Sequence, residues 1–168
     1  MKMIKYKKAI KILLNSKIKI KNETVPIKNS LNRISANNIF SPNNYPIGNN
    51  AAFDGYAVSS KETIGLTKKN KKRFKILKII AAGDNPNIEN VKKYNTVEIM
   101  TGALVPKQFD TIIPVEKIKY YPKKKKSKFI ILDKKISKNN HVRFAGSDYK
   151  KGEKIISPGE IITAAHIL

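Results

Sequence analysis

Short apolar or alternating runs, each bounded by turn-forming residues, dominate the chain after Gly55 and constrain its fold most strongly. Such runs lie at Tyr56–Val58, Phe74–Ile80, Thr96–Met100, Thr111–Val115 and Phe129–Leu132. Gly, Pro, Asp and Asn cluster between them, and these residues favour turns for distinct steric and hydrogen-bonding reasons. Several short strands at this spacing predict a small β barrel or sandwich.

The N-terminal residues 3–15 predict an amphipathic helix, because Met3, Tyr6, Ile10 and Leu13 recur at helical spacing. Lysines take the opposite face. Two interpretations are open. One is a basic helix that binds a membrane surface or a partner. The other, which we favour, is a surface helix whose apolar side packs on a core.

Three shorter segments complete the secondary-structure prediction. Ile18–Lys21 alternates in polarity and predicts a strand or an extended segment. Ser30 is a candidate N-cap for a short helix through Ala36, and Thr163 is a candidate N-cap for a helix at the end of the chain. Only about one turn follows Thr163, which is short for a helix, so we expect a sequence that is cut rather than finished.

The formal charge of +23 permits a nucleic-acid or anionic-surface binder. However, arginine, the residue favoured for bidentate phosphate and base contacts, occurs only at Arg33, Arg73 and Arg143. The abundant Lys, Asn and Ile share AT-rich codons, so genome bias explains the composition without a partner. Two Lys-rich runs, Lys68–Lys75 and Lys123–Lys128, lie between predicted strands and are expected to be solvated hairpin tips. A nucleic-acid partner is therefore the weaker alternative.

The chain contains no Cys, which excludes disulfides and thiolate metal sites and fits a reducing cytoplasm. Lys7, Lys8 and Lys11 interrupt the apolar stretch that a secretory signal peptide would need. No apolar run approaches the roughly 18 residues of a membrane helix. We therefore expect a cytoplasmic protein with no membrane partner.

Asp54 lies between Phe53 and Gly55, at the start of a predicted strand. The structural interpretation is a turn, because Gly accepts a positive φ and Asp bonds to nearby backbone amides. The functional interpretation is an exposed carboxylate, held by backbone, that ligates Mg²⁺ or positions a polar substrate. The dipeptide alone favours the turn.

Thr101-Gly102 follows the predicted strand Thr96–Met100. It is either a simple turn or a place where Gly102 lets a phosphate or oxyanion approach the backbone while the Thr101 hydroxyl adds a contact. The segment matches neither a Walker loop nor a dinucleotide-binding fingerprint.

Asp148 follows a glycine turn, with Arg143 five residues before it. The pair is either a surface ion pair of little energetic value or a metal-binding carboxylate beside an anion contact. Glu116 ends a predicted strand, and an exposed strand-end charge is the favoured interpretation. His141 and His166 have no partner at metal-ligand spacing. The strongly basic chain should keep these carboxylates ionised, which suits ligation and positioning better than general-acid chemistry.

Five segments resemble, in the same order, the motifs of the molybdopterin molybdenumtransferases, the MoeA and gephyrin E-domain family. Asn50–Ala57 resembles the signature N-S-A-M-D-G-Y-A, and Ala81–Gly83 resembles the A-A-G turn. Ile99–Pro106 resembles I-M-T-G-A-x-V-P, and Asp110–Glu116 is similar to the A-V-V-x-x-E strand. Val142–Gly159 resembles R-x-x-G-E-D-x-x-x-G…P-G. The resemblance covers nearly the whole chain.

The resemblance implies an α+β fold. An elongated N-terminal domain, residues 1–45 and 142–168, would carry an inserted mostly-β, barrel-like domain, residues 46–141. The implied activity is insertion of molybdate into adenylylated molybdopterin with Mg²⁺, releasing AMP and molybdenum cofactor. The family is homodimeric, and its cleft forms between one subunit's N-terminal part and the other's molybdopterin-binding domain. That domain and the C-terminal domain are not in this sequence, so we expect little or no activity from it alone.

The resemblance also assigns site residues. Asp54, Thr101 and Asp148 match the family's active-site positions, and we expect Asp54 and Asp148 to ligate the metal. The residues expected to contact substrate are Gly55, Gly102, Arg143 and Glu116.

The sequence departs from the family pattern at four places, where Asn49, Ala51, Phe53 and Ser147 replace Asp, Ser, Met and Glu respectively. Two alternatives from other functional classes stay open. One is a basic nucleic-acid-binding module, whose binding would fall steeply with salt. The other is a non-catalytic dimerisation fragment.

Overall fold

A computed structural model describes residues 3–16, 20–123 and 127–167. The described residues form two compact units, one within Met1–Ile39 and Lys154–Leu168 and the other within Phe40–Glu153. Residues 40–45 and 142–153, assigned from the sequence to the N-terminal domain, belong here to the larger unit. The division into an outer and an inserted domain at residues 45/46 and 141/142 stays a prediction.

Helix α1, Tyr6–Asn15, confirms the predicted N-terminal helix. None of its residues is buried within the described part of the chain, and Met3 and Leu13 expose 97% and 68% of their surface. The expectation that its apolar side packs on a core is therefore wrong for this chain. No helix among the described residues is long and apolar enough to cross a membrane.

The helix predicted from Ser30 to Ala36 is absent from the described structure. A 3₁₀ helix, Ile27–Asn29, lies just before it, and the Ser30 hydroxyl donates to the Ile27 carbonyl at 2.6 Å. Ser30 therefore closes a helical turn instead of opening one, and Ile34 instead forms a β-bridge with Ile161.

Helix α2, Ala164–Ile167, begins one residue after Thr163, as expected for an N-cap. The Thr163 amide donates to Nδ1 of His166 at 3.1 Å. This contact takes the place of the Glu or Gln side chain that usually accepts this bond in a capping box.

Two predictions fall partly on residues outside the described ranges. In the segment Ile18–Lys21, residues 18 and 19 are not described, and residues 20 and 21 lie outside any strand. In the run Lys123–Lys128, residues 124–126 are likewise not described. The prediction that the other Lys-rich run, Lys68–Lys75, is a hairpin tip is wrong. A strand begins at Lys72, and this strand does not pair with the strand that precedes the run, Gly55–Val58.

Ten strands are found in the described residues: β1 Ile39–Phe40, β2 Asn50–Ala51, β3 Gly55–Val58, β4 Lys72–Ile80, β5 Asn95–Ile99, β6 Thr111–Pro114, β7 Lys119–Tyr121, β8 Phe129–Leu132, β9 Val142–Arg143 and β10 Lys154–Ile156. β1 pairs with β10 and β2 with β9, while a six-stranded sheet has the order β6-β3-β5-β4-β8-β7. All five predicted strands are present, and the mostly-β content confirms the α+β class. The five strands of two or three residues, β1, β2, β7, β9 and β10, were not predicted.

The six-stranded sheet is antiparallel except between β4 and β5. A parallel pair needs a crossover connection, which here is the turn-rich stretch 81–94. This crossover begins directly after β4 with the segment Ala81–Gly83, which resembles the family's A-A-G turn.

Both faces of this sheet are covered by buried side chains. One cluster includes Ala57, Val97 and Ile112, and the other includes Tyr56 and Phe74. Consecutive residues of β3 alternate between the clusters, as strand geometry requires. Burying both faces fixes the register of β3, because a shift by one residue would exchange its two faces.

Candidate functional site

The segment Asn49–Ala51 lies against the Thr101-Gly102 turn through backbone hydrogen bonds. The Ala51 amide donates to the Ala103 carbonyl at 2.9 Å, and the Gly102 amide donates to the Ala51 carbonyl at 2.8 Å. The Val105 amide donates to the Asn49 carbonyl at 2.9 Å. Two motifs about 50 residues apart in the sequence are therefore joined side by side.

The other edge of the same segment pairs with the third motif. Asn50 lies opposite Arg143 in the antiparallel pair β2–β9. The Ala52 amide donates to the His141 carbonyl at 3.0 Å, and the Ala145 amide donates to Oδ1 of Asn49 at 2.9 Å. The residues after Asn49 are thus held between the two other motifs.

Asp54 is fixed by Thr101. Its Oδ1 accepts two hydrogen bonds, from the backbone amide and from the hydroxyl of Thr101, both at 2.7 Å. The Asp54 carbonyl accepts from the Val115 amide at 3.1 Å. The two Thr101 donors, the hydroxyl contributing most, hold the pKa of the Asp54 carboxyl below its usual value, so this exposed group is ionised near neutral pH.

The register of the sheet explains why these residues meet. Gly55, the first residue of β3, lies opposite Ile99 at the end of β5 and Pro114 at the end of β6. Asp54 precedes that row, while Thr101 and Glu116 follow it by two residues on the neighbouring strands. All three therefore leave the sheet at the same end, with Glu116 exposed in the 3₁₀ helix Val115–Lys117.

Asp148 is engaged by its own loop. Its Oδ2 accepts a short, charged hydrogen bond from the Arg143 guanidinium, and its Oδ1 accepts from the Ser147 hydroxyl at 3.2 Å. The bond from Arg143 is the main cause that lowers the pKa of Asp148, and the same contact raises the pKa of Arg143. Both groups are therefore charged at neutral pH.

The two glycines predicted to contact substrate have structural tasks. A Cβ on Gly55 would lie 2.3 Å from the Ile113 carbonyl oxygen, so this position requires glycine for the close approach of β6. Gly102 has φ +82° and donates its amide to Ala51. Since the Thr101 and Gly102 amides already have acceptors, neither is a free donor for an anion. A substrate contact through these two glycines stays a prediction.

Two contacts of this region escaped the sequence analysis. Asn49 accepts from an amide 96 residues away, a distance at which no local pattern signals pairing. His141, expected to be isolated, meets the ring of Phe53 edge to face with the centroids 5.0 Å apart. This contact braces the residue next to Asp54.

The carboxylates suggest how a cation could be held. Among the described residues, no group of three or more His, Cys, Asp or Glu is arranged to hold a metal ion. Mg²⁺, however, commonly uses one or two carboxylates together with substrate phosphates and water. Asp54 fits this mode, because within the described residues only its Oδ1 has hydrogen-bond partners. Metal ligation by Asp148 stays a prediction, and its ion pair with Arg143 disfavours it.

Comparison with known proteins gives the family. Residues 4–168 match the family described as the MoeA N-terminal region (domain I and II), and the chain belongs to this family. A molybdopterin biosynthesis protein of Methanocaldococcus jannaschii is 33% identical over 153 residues, covering 91% of this chain and 34% of that protein. A molybdopterin molybdenumtransferase of Staphylococcus aureus is 29% identical over 164 residues, covering 98% of this chain and 38% of the relative.

A solved structure shares the fold. The crystal structure of the molybdopterin biosynthesis MoeA protein from Pyrococcus horikoshii OT3 superposes with a TM-score of 0.84 at 26% identity, covering 99% of this chain and 42% of that one. The predicted MoeA N-terminal-like fold is confirmed. The chain spans little more than a third of the curated relatives' length.

Proposed function

We propose that this chain is the N-terminal region of a molybdopterin molybdenumtransferase, which inserts molybdate into adenylylated molybdopterin and releases AMP. One observation carries the proposal most strongly: Thr101 fixes the Asp54 carboxylate through one oxygen and leaves the other oxygen open. The family membership of residues 4–168 supports it.

The chemistry explains why an ionised, immobilised carboxylate is useful. Molybdate and a phosphoanhydride are both anionic, and Mg²⁺ supplies positive charge that reduces their mutual repulsion. Asp54 would ligate this ion through its open oxygen. Because its other oxygen accepts two hydrogen bonds from Thr101, the carboxylate needs little reorganisation when the ligand binds.

The remaining residues take different roles in this proposal. Thr101 is a positioning residue that acts through Asp54. Arg143 contacts an oxyanion as a charged donor. Glu116, at the same end of the sheet as Asp54, orients polar groups of the substrate. Asp148 does not contact the substrate in this proposal and affects the oxyanion only through the Arg143 guanidinium with which it pairs.

The sequence matches only the N-terminal region of its relatives. We propose that pterin-binding domains outside this region complete the site within a homodimer, as the resemblance implies. The two alternatives lack comparable support. In particular, each arginine has an intramolecular partner: Arg33 pairs with Glu23, Arg73 lies over the ring of Tyr121, and Arg143 pairs with Asp148.

A chimaera tests the proposal. Residues 4–168 would replace the matching N-terminal region of the Staphylococcus aureus relative, and the product would be assayed for molybdate-dependent AMP release. We expect activity that Asp54→Asn reduces by about 100-fold or more, the scale of losing a preorganised charge. Asp133→Asn is the control, since Asp133 pairs with Lys119 at the β7–β8 edge of the sheet, away from β3. A folded chimaera whose activity is indifferent to Asp54→Asn would refute the site.

A further inference from the structure

Helix α1 presents an apolar face that the described residues leave uncovered. Tyr6, Ile10 and Leu13 recur at helical spacing, and all three are exposed. A helix of ten residues without tertiary contacts is marginal in water, and α1 has neither a buried residue nor a side-chain hydrogen bond at its N-cap. The helix therefore gains stability from any surface that covers this face.

The charges of α1 favour an anionic surface. At about 3.6 residues per turn, Lys7 lies beside Leu14 at one border of the apolar face. Lys8 lies beside Ile12 at the other border. Lysines at both borders can keep their ammonium groups among lipid headgroups while the apolar side chains enter the membrane interface. The segment 3–16 contains no acidic residue that would oppose this contact.

A second copy of this chain fits the same face less well. A symmetric pair of α1 helices would bring the bordering lysines of two chains together, and each chain carries a formal charge of +23. Like charges at such short range repel each other. Each lysine near an anionic membrane is instead attracted to it.

We propose that α1 binds peripherally to anionic lipid membranes, with its apolar face in the interface and its lysines among the headgroups. This mode needs no helix that spans the bilayer. It replaces the expectation of no membrane partner, which considered only secretion and membrane-spanning segments. Because ten residues bury little apolar area, binding is reversible and requires both the lysines and the apolar face. The inference goes beyond molybdenum transfer and does not depend on it.

Vesicle co-sedimentation of the whole chain tests the proposal. Vesicles of equal parts phosphatidylglycerol and phosphatidylcholine should bind the chain at least about tenfold more tightly than pure phosphatidylcholine vesicles do. Leu13→Gln should weaken binding to the anionic vesicles by about tenfold, as expected for losing one inserted leucine. The helix itself should persist, because Leu and Gln have similar helix propensities.

A matched control separates α1 from the general charge of the chain. Ile64 lies outside α1, and it exposes 66% of its surface compared with 68% for Leu13. Ile64→Gln should therefore leave vesicle binding unchanged.

Tryptophan fluorescence reports insertion directly. The chain contains no Trp, so a single introduced Trp reports only its own surroundings. The emission of Tyr6→Trp should shift to shorter wavelength when anionic vesicles are added. The emission of Ile64→Trp should not shift.

Three results would overturn the proposal. Equal vesicle binding by the wild-type chain and Leu13→Gln would show that lysines elsewhere hold the vesicles. Self-association that Leu13→Gln abolishes, without an emission shift of Tyr6→Trp on vesicles, would show that α1 binds a second copy. In the chimaera with the Staphylococcus aureus relative, a Tyr6→Trp emission already shifted without vesicles would show that other domains cover α1. None of these readouts requires molybdenum transfer, so they do not depend on the proposed enzymatic activity.

Discussion

Thr101 donates both its backbone amide and its hydroxyl to the same oxygen of Asp54, each at 2.7 Å, although the residues are 47 positions apart. The sheet register brings them together, since Gly55 lies opposite Ile99 in an antiparallel pair, and Asp54 and Thr101 both lie beyond the same end of that pair. The Asp54 carboxylate is therefore fixed and ionised, and it lies where β3 begins and where β5 and β6 end.

Replacing Thr101 with Val removes the hydroxyl donor but keeps the amide donor. The hydroxyl is the largest cause of the lowered pKa, so Thr101→Val should raise the pKa of Asp54 towards its ordinary value. Stability linked to this group is present above the ordinary pKa and lost as pH falls through the lowered one. Thr101→Val should therefore lose this stability at a higher pH than the wild-type chain does. NMR titration of the Asp54 carboxyl carbon measures the shift, and Thr101→Ser, which keeps a hydroxyl, should change it little. An unchanged pKa in Thr101→Val would contradict the assigned cause.

Gly55→Ala should be strongly destabilising. The added Cβ would lie 2.3 Å from the Ile113 carbonyl oxygen and 2.9 Å from Cγ2 of Ile112. Both neighbours belong to β6, whose four residues are buried, so we expect a loss of about 3 kcal/mol or more. The melting temperature should fall by about 10 °C.

Gly65→Ala is the matched control for this prediction. Gly65, unlike Gly55, has a positive φ, +78°, and no atom lies within 4 Å of its Cβ position. Gly65→Ala should lower the free energy of unfolding by only about 1–2 kcal/mol, because the alanine would adopt a left-handed backbone conformation. Equal losses in Gly55→Ala and Gly65→Ala would mean that β6 does not approach β3 this closely.

Asn49→Ala should loosen the loop that carries Arg143 and Asp148. The variant removes the acceptor of the Ala145 amide, which is worth about 1 kcal/mol. Hydrogen exchange at Ala145 should accelerate by about fivefold. Asn43→Ala is the control and should leave this rate unchanged. It also removes a side-chain amide, but among the described residues this amide makes no hydrogen bond. Equal acceleration in both variants would argue against the anchor.

Binding to mixed-sequence DNA tests the nucleic-acid alternative. Since Arg33 and Arg73 have partners within the chain and Arg143 is the single remaining guanidinium, we expect only non-specific binding, with a Kd weaker than about 1 μM at physiological salt. Arg73→Lys, which keeps the charge, should bind equally well in a salt-dependence series. Nanomolar affinity with a sequence preference would instead favour the nucleic-acid module.

The five strands of four or more residues were predictable, whereas the shorter strands were not. Runs such as Phe74–Ile80 are long enough to carry a clear apolar pattern between turn residues, and β4 forms there. By contrast, β7 has three residues and β2 and β9 have two each, so their formation depends on partners distant in the sequence. The helix predicted from Ser30 was wrong because a serine hydroxyl can close a turn as well as cap a helix.

The sequence analysis named candidate site residues but did not give the contacts between distant ones. Asp54, Thr101 and Asp148 were selected from turn chemistry and resemblance, and an ion pair between Arg143 and Asp148 was one of two interpretations of their spacing. The sequence did not reveal that Thr101 bonds to Asp54. Hydrogen bonds between such distant positions depend on the register of the sheet, which no local pattern encodes.

Molybdate titration of the ¹⁵N-labelled chain tests the central claim most directly, namely that the three joined motifs form one oxyanion-binding region. We expect the amides of Thr101, Ala145 and Asp148 to shift together with a single Kd in the presence of Mg²⁺, and Asp54→Asn to weaken the response at all three. Shifts confined to the Lys-rich segments, or separate Kd values for the three motifs, would contradict the account.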